Sequence, residues 1–162
     1  MDQLIIFCAK YLFLAVPIIF IIVWAQSNKK HKKELGLALV LAIVIAGLLD
    51  KIAGKLFYDP RPFVASSVKP LIDHVADNGF PSEHTLFCFA IATVIFIYKR
   101  NIGVVALLLS AIVGIARVAA HVHSPIDIIG GMLIGMAAGT FGYYAAKKLL
   151  AKRDTPTKTE TN

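Results

Sequence analysis

Long apolar blocks alternate with short polar ones along this chain, and block length is its first signal. Leu4 to Ala25 is an apolar run interrupted by Lys10 and Tyr11. As a helix rising about 1.5 Å per residue it covers about 33 Å, enough for a bilayer core of roughly 30 Å. Leu35 to Leu49 is too short to cross alone, but a helical pattern continues through Lys51 and Lys55 to about Tyr58. Asp59-Pro60-Arg61-Pro62 then stops it. After the polar stretch Ser66 to Asn78, a third run extends from Phe80 to Tyr98, with Pro81 at a first helical position. A fourth runs from Ile102 to Ala120 and, beyond a break at His121 to Pro125, a fifth from Ile126 to about Leu150. The pattern predicts an all-α, polytopic membrane bundle of five transmembrane helices. It forms one domain over residues 1–150, followed by a flexible polar tail at 151–162.

Composition supports that reading. Of 162 residues, 57% are hydrophobic and 17% charged, which excludes disorder and leaves more apolar surface than one small soluble core hides. The net charge of +7 would suit nucleic acid only if it formed a face on a polar domain. Instead, eleven of the seventeen Lys and Arg fall on one side of the predicted spans: Lys29, Lys30, Lys32, Lys33, Lys99, Arg100, Lys147, Lys148, Lys152, Arg153 and Lys158. The positive-inside rule makes that side the cytoplasm, which places the C-terminus inside and the N-terminus outside. No nucleic-acid partner is expected. The first run precedes its basic cluster, the reverse of a signal peptide, so it reads as a retained span. Cys8 and Cys88 read as small buried hydrophobes without a disulfide.

The opposite side collects Arg61, His84, Arg117, His123 and Asp127 at the ends of spans two to five. Ionisable groups at membrane depth are functional candidates. Arg61 between two prolines is a guanidinium on a stiff turn, suited to phosphate oxygens or to lipid head groups. Pro81-Ser82-Glu83-His84 opens a helix whose free amides favour an anion, although Ser82 and Glu83 also suit plain capping. His123 stands four residues before Asp127, so in a helix the two share a face, and the carboxylate would fix the imidazole tautomer. Ser124-Pro125-Ile126-Asp127 is equally a helix cap. Together the set suits phosphoryl transfer through histidine. A zinc site of His84, His121, His123 and Asp127 is the metal alternative, disfavoured beside two arginines.

Arg61-Pro62, then Pro81-Ser82-Glu83-His84, then Arg117 with His123 and Asp127 following at fixed spacing, resembles the three-part signature of type 2 phosphatidic acid phosphatases, PAP2. The resemblance covers about residues 51–130. It implies a phosphatase without metal or other cofactor, in which His123 is the nucleophile, Asp127 orients it and His84 is the general acid. It assigns Arg61, Arg117 and Ser82 to phosphate binding. The family's lysine seven positions before the first arginine is Gly54 here, which leaves Lys55 or Lys51 to stand in for it. Glu83, the run through Phe63 and the loop around His74 resemble the bacitracin-resistance branch, the bacterial undecaprenyl pyrophosphate phosphatases of cell-wall lipid recycling. Glu83 and His74 are therefore accessory candidates, and Glu83 is expected to face Lys51, Lys55 or Lys69. The implied location is the bacterial plasma membrane, with the site on the extracytoplasmic face.

Phosphatidylglycerol phosphate and phosphatidic acid are alternative lipid substrates, and a small membrane transporter is the reading from a different class. Gly131, Gly135 and Gly139 form a small-residue stripe on span five. We expect it to serve packing within the bundle ahead of an oligomer.

Overall fold

The apolar runs all become helix in the computed structural model, which describes residues 1–66 and 68–153. In chain order the helices are α1 (Asp2–Lys10), α2 (Ala15–Gln26), α3 (Lys29–Leu56), a single turn α4 (Pro62–Ala65), α5 (Glu83–Tyr98), α6 (Arg100–Ala119) and α7 (Pro125–Arg153). Among the described residues no strand forms.

The first run is a bent pair and not one straight helix. Its two parts meet at 41° across Tyr11 and a 3-10 turn at Leu12–Leu14. Pro17, in the first turn of α2, has no N–H for the carbonyl of Phe13 four residues back. That carbonyl faces the Cys88 thiol at 3.8 Å instead. The bend sets the Phe13 ring edge-on against His84, centroids 4.8 Å apart. Cys8 and Cys88 are free thiols, and Cys8 is only half buried.

Other boundaries also move. Helix α3 begins at Lys29, six residues before the apolar run, because the Asn28 side chain accepts from the His31 N–H at 3.0 Å and caps it. The lysine cluster is thus its first turns. Helix α5 starts at Glu83 with Ser82 as N-cap, and Pro81 lies before it on a cis peptide bond. Helix α7 runs on to Arg153, past the predicted end at Leu150, and residues 154–162 of the expected tail lie outside the described residues.

Helices α3, α6 and α7 are each long and apolar enough to cross a membrane, and the bent α1–α2 pair passes the same test together. Helix α5 has 16 residues, about 24 Å. It is the centre of the bundle: Leu86, Ala90, Ala92, Val94 and Ile95 are fully buried, and α7, α6, α3 and α2 all pack on it. The periodicity of α3 is inside out. Ala38, Ala42 and Ala46 face the core, while Val40, Val44, Leu48 and Ile52 are exposed, the pattern of a helix whose solvent is lipid.

The glycine stripe of α7 lies against α5. A Cβ at Gly131 would stand 2.9 Å from the Ser82 carbonyl oxygen, one at Gly139 2.8 Å from Thr93 Cβ, and one at Gly135 would collide with the Leu86 carbonyl. Gly142 meets α3 in the same way, 2.6 Å from the Ala42 nitrogen. The stripe therefore packs the bundle, as expected. Gly135→Val should cost about 1–3 kcal/mol or more by forcing α5 and α7 apart. Thermal unfolding of the detergent-solubilised protein checks this, and an unchanged midpoint would contradict the close approach.

Candidate active site

Four helix ends and one loop meet at one end of the bundle. The chain leaves α6 in a tight turn, with His121 at φ 60° and the Val122 N–H returning to the Arg117 carbonyl at 3.3 Å. That turn brings Arg117 and His123 to one side. His123 precedes α7 and is not on its face, so the spacing to Asp127 works through the helix cap. Asp127 Oδ2 accepts from His123 Nδ1 at 3.1 Å and from the Ser124 N–H at 2.9 Å. The orienting and capping roles are thus carried by the same oxygen. The Ser124 hydroxyl donates to Asp59 Oδ2. Gly79 passes so close that a Cβ there would lie 2.7 Å from Asp127 Oδ2.

The other ring nitrogen of His123 meets two guanidiniums. Arg61 Nη1 lies 3.3 Å from Nε2 and Arg117 Nη2 lies 3.4 Å away. A guanidinium only donates, so Nε2 carries the lone pair and Nδ1 the proton. All four partners are buried: Arg61 is 5% exposed, Arg117 and His123 3% and Asp127 0%. Arg61 is held from three sides. Its Nε donates to Asp77 at 2.6 Å, its Nη1 to the Val122 carbonyl at 2.8 Å and its Nη2 to the Asn78 carbonyl at 3.5 Å. Asn78 ties the loop together, its Oδ1 accepting from the Asp59 and Phe80 N–H groups at 3.0 Å each and its Nδ2 donating to the Gly54 and Phe57 carbonyls. Arg117 Nη2 also donates to His74 Nε2 at 2.8 Å.

These groups border a pocket of about 280 Å³ lined by Arg61, His74, His84, Arg117 and His123 and also by Asp50, Lys51 and Glu83. The pocket joins most of the residues expected from sequence. Ser82 is an exception: it is fully buried, its hydroxyl bonded to Thr85 at 3.1 Å, and it does not line the pocket. Lys51 lines it, whereas Lys55, one turn further along α3, is exposed and does not. Glu83 forms no ion pair with Lys51, Lys55 or Lys69 among the described residues. It is solvent-exposed, so water screens it, and its field falls on Asp50 and Arg117. The zinc alternative is not assembled, because no three His, Cys, Asp or Glu side chains among the described residues converge as ligands and His121 points to solvent. Asp50, Asp77 and Asn78 were not foreseen. The polar run Asp77-Asn78-Gly79 was the available signal for the last two.

Burial pushes His123 below its ordinary value of 6.5; the Asp127 bond opposes that and the two guanidiniums reinforce it. His74 is lowered by burial and then by Arg61 and Arg117. Burial would raise Asp77, but its bond to Arg61 holds it below 3.8. A protonated His123 has no lone pair to attack with. We therefore expect kcat/KM to be kept as pH falls to 6.5 and lost only below it. An acid limb centred above 6.5 in a pH profile would contradict this assignment.

A helical membrane bundle that holds one oriented imidazole between two guanidiniums has the groups that phosphoryl transfer through histidine requires. Residues 35–151 match the PAP2 superfamily, and the chain belongs to it, as a multi-pass membrane phosphatase. A Bacillus licheniformis protein described as bacitracin transport permease protein BcrC is 33% identical over 150 residues, 92% of this chain and 73% of its own. Undecaprenyl-diphosphatase BcrC of Bacillus subtilis is 30% identical over 142 residues, 86% of this chain and 72% of its own. The crystal structure of Aquifex aeolicus LpxE superposes with a TM-score of 0.73 at 28% identity, covering 88% of this chain and 85% of that one. A Bacillus subtilis phosphatidylglycerolphosphate phosphatase shares the fold, with a TM-score of 0.65 at 21% identity over 93% of this chain and 77% of that one.

Proposed function

We propose that the chain hydrolyses undecaprenyl pyrophosphate to undecaprenyl phosphate and phosphate on the outer face of a bacterial plasma membrane, which it crosses five times. The observation that carries the chemistry is the His123 Nε2 lone pair between Arg61 and Arg117, with Asp127 on the opposite nitrogen. In this reading both arginines take the oxygens of the terminal phosphate. Nε2 bonds to phosphorus, the bridging P–O bond breaks, and His84 gives its proton to the departing oxygen. Water then attacks the phosphohistidine, His84 recovers a proton from it, and orthophosphate leaves. Asp127 stabilises the positive ring throughout. Lys51, which also lines the pocket, supplies a cation for the remaining phosphate.

The substrate reading is supported by the bacillar relative named undecaprenyl-diphosphatase. The outer-face reading is supported by the basic residues gathered at the other end of the helices. The description of the other bacillar relative as a permease is the point in favour of a transporter. Its discriminating feature, a polar site midway along the helices, is not the arrangement here.

The deciding experiment is phosphate release by the purified protein, with excess EDTA, from undecaprenyl pyrophosphate, phosphatidylglycerol phosphate and phosphatidic acid in parallel. Preference for the first by kcat/KM is expected. Preference for either phospholipid would keep the mechanism and replace the substrate, and release abolished by EDTA would remove the metal-free mechanism. His84→Gln should slow release by roughly a hundredfold or more without changing the apparent affinity for phosphate. An unaltered rate would take the acid role from His84.

A further inference from the structure

Arg117 is shared between two imidazoles. Its Nη2 lies 2.8 Å from His74 Nε2 and 3.4 Å from His123 Nε2, and the two rings stand 6.0 Å apart, centroid to centroid. Because a guanidinium only donates, His74, like His123, keeps a lone pair on Nε2 and is neutral while the pocket is empty of anion. For His123 that lone pair is the attacking one. For His74 the reaction as described gives it no use.

A phosphate arriving within reach of His123 Nε2 changes the surroundings of His74. Its oxygens are stronger acceptors than a neutral ring nitrogen, so the Arg117 N–H turns to them. His74 Nε2 then has a lone pair facing a dianion, two acceptors without a hydrogen between them. We propose that His74 is a third cationic ligand of the substrate phosphate, taking one proton from water as the phosphate binds and donating it as an Nε2–H bond to a phosphate oxygen. This rests on the reading of the pocket as a phosphate site.

The charges around His74 fit such a switch. Arg61 and Asp77 face it from the loop, Arg117 from α6, His123 from the turn before α7 and His84 from the start of α5. Asp77 is engaged by Arg61 at 2.6 Å, so in the empty pocket the balance of charge opposes a proton on His74. A bound dianion reverses that balance while leaving His123 oriented by Asp127. The resting site thus stays neutral at both histidines, and the extra positive charge exists only when there is a phosphate to receive it.

The test uses sulfate, a tetrahedral dianion with no titratable proton near neutral pH. Sulfate is titrated calorimetrically into the full-length detergent-purified protein at neutral pH, in two buffers of different ionisation heat, which counts the protons taken up. Wild-type protein should take up close to one proton per sulfate. His74→Gln, which keeps a polar side chain but cannot accept a proton, should take up almost none and bind about tenfold more weakly or worse. A readout independent of any variant is the ring ¹⁵N shift of His74 in wild-type protein, which should move from neutral to imidazolium on adding sulfate. Sulfate binding without proton uptake, uptake that persists in His74→Gln, or a His74 ring still neutral with sulfate bound would each overturn the proposal and leave the phosphate site standing. Failure of wild-type protein to bind sulfate at all would overturn the phosphate-site reading and this proposal with it.

Discussion

His123→Ala is expected to reduce phosphate release by roughly ten-thousandfold or more while leaving the bundle folded. The ring removed carries the Nε2 on which both guanidiniums converge, and among the described residues no other unprotonated nitrogen stands in that position with a carboxylate behind it. The fold should survive because neighbouring contacts do not depend on the ring. Asp127 Oδ2 keeps the Ser124 N–H at 2.9 Å, and Arg61 keeps Asp77 and the Val122 carbonyl. Two measurements check it: single-turnover phosphate release, and acid-quenched detection of a phosphorylated protein that appears in wild type and not in the variant. Retention of either signal in a protein with an unchanged melting temperature would remove His123 from the nucleophile role.

Asp127→Asn should produce the second largest loss, about a thousandfold to ten-thousandfold in kcat, by a different route. In the native site one oxygen serves His123 and Ser124, and the other, Oδ1, is buried with no hydrogen-bond partner. An asparagine must put its amide somewhere. With its oxygen in the place of Oδ2, the NH₂ group is buried unsatisfied. With the amide turned round, it confronts His123 Nδ1–H and drives the ring to its other tautomer, placing a hydrogen on Nε2 against two cations. Gly79 closes off an escape, since there is no room beside Oδ2 even for a methyl group. If rate per folded molecule were unchanged and only the melting temperature fell, Asp127 would be a helix cap and nothing more.

Much of this site was legible in the chain because its chemistry is encoded by local spacing. Arg117, His123 and Asp127 lie within eleven residues of one another, so one turn and one helix start bring them together. What spacing could not show was the work of the long connection. Asp77 and Asn78 matter only because the loop folds back to bridge Pro60, and Asp50 because α3 ends beside α5. Ser82 stands apart from the pocket for a related reason: a helix cap can point its hydroxyl inward, and here it meets Thr85. Glu83, expected to face a lysine so as not to repel a phosphate, forms no such pair among the described residues and is exposed to water instead. The bend in the first run falls at Lys10 and Tyr11, the two residues that interrupt its apolar pattern.

The size of the pocket has a consequence for selectivity. A space of about 280 Å³ has room for phosphate groups and far too little for a polyprenyl tail. Such an enzyme reads a head group and leaves the hydrocarbon in the bilayer, so chain length and saturation go largely unmeasured. Discrimination among lipids then falls to the head group itself, one phosphate against two, and to how far those phosphates stand from the plane of the membrane.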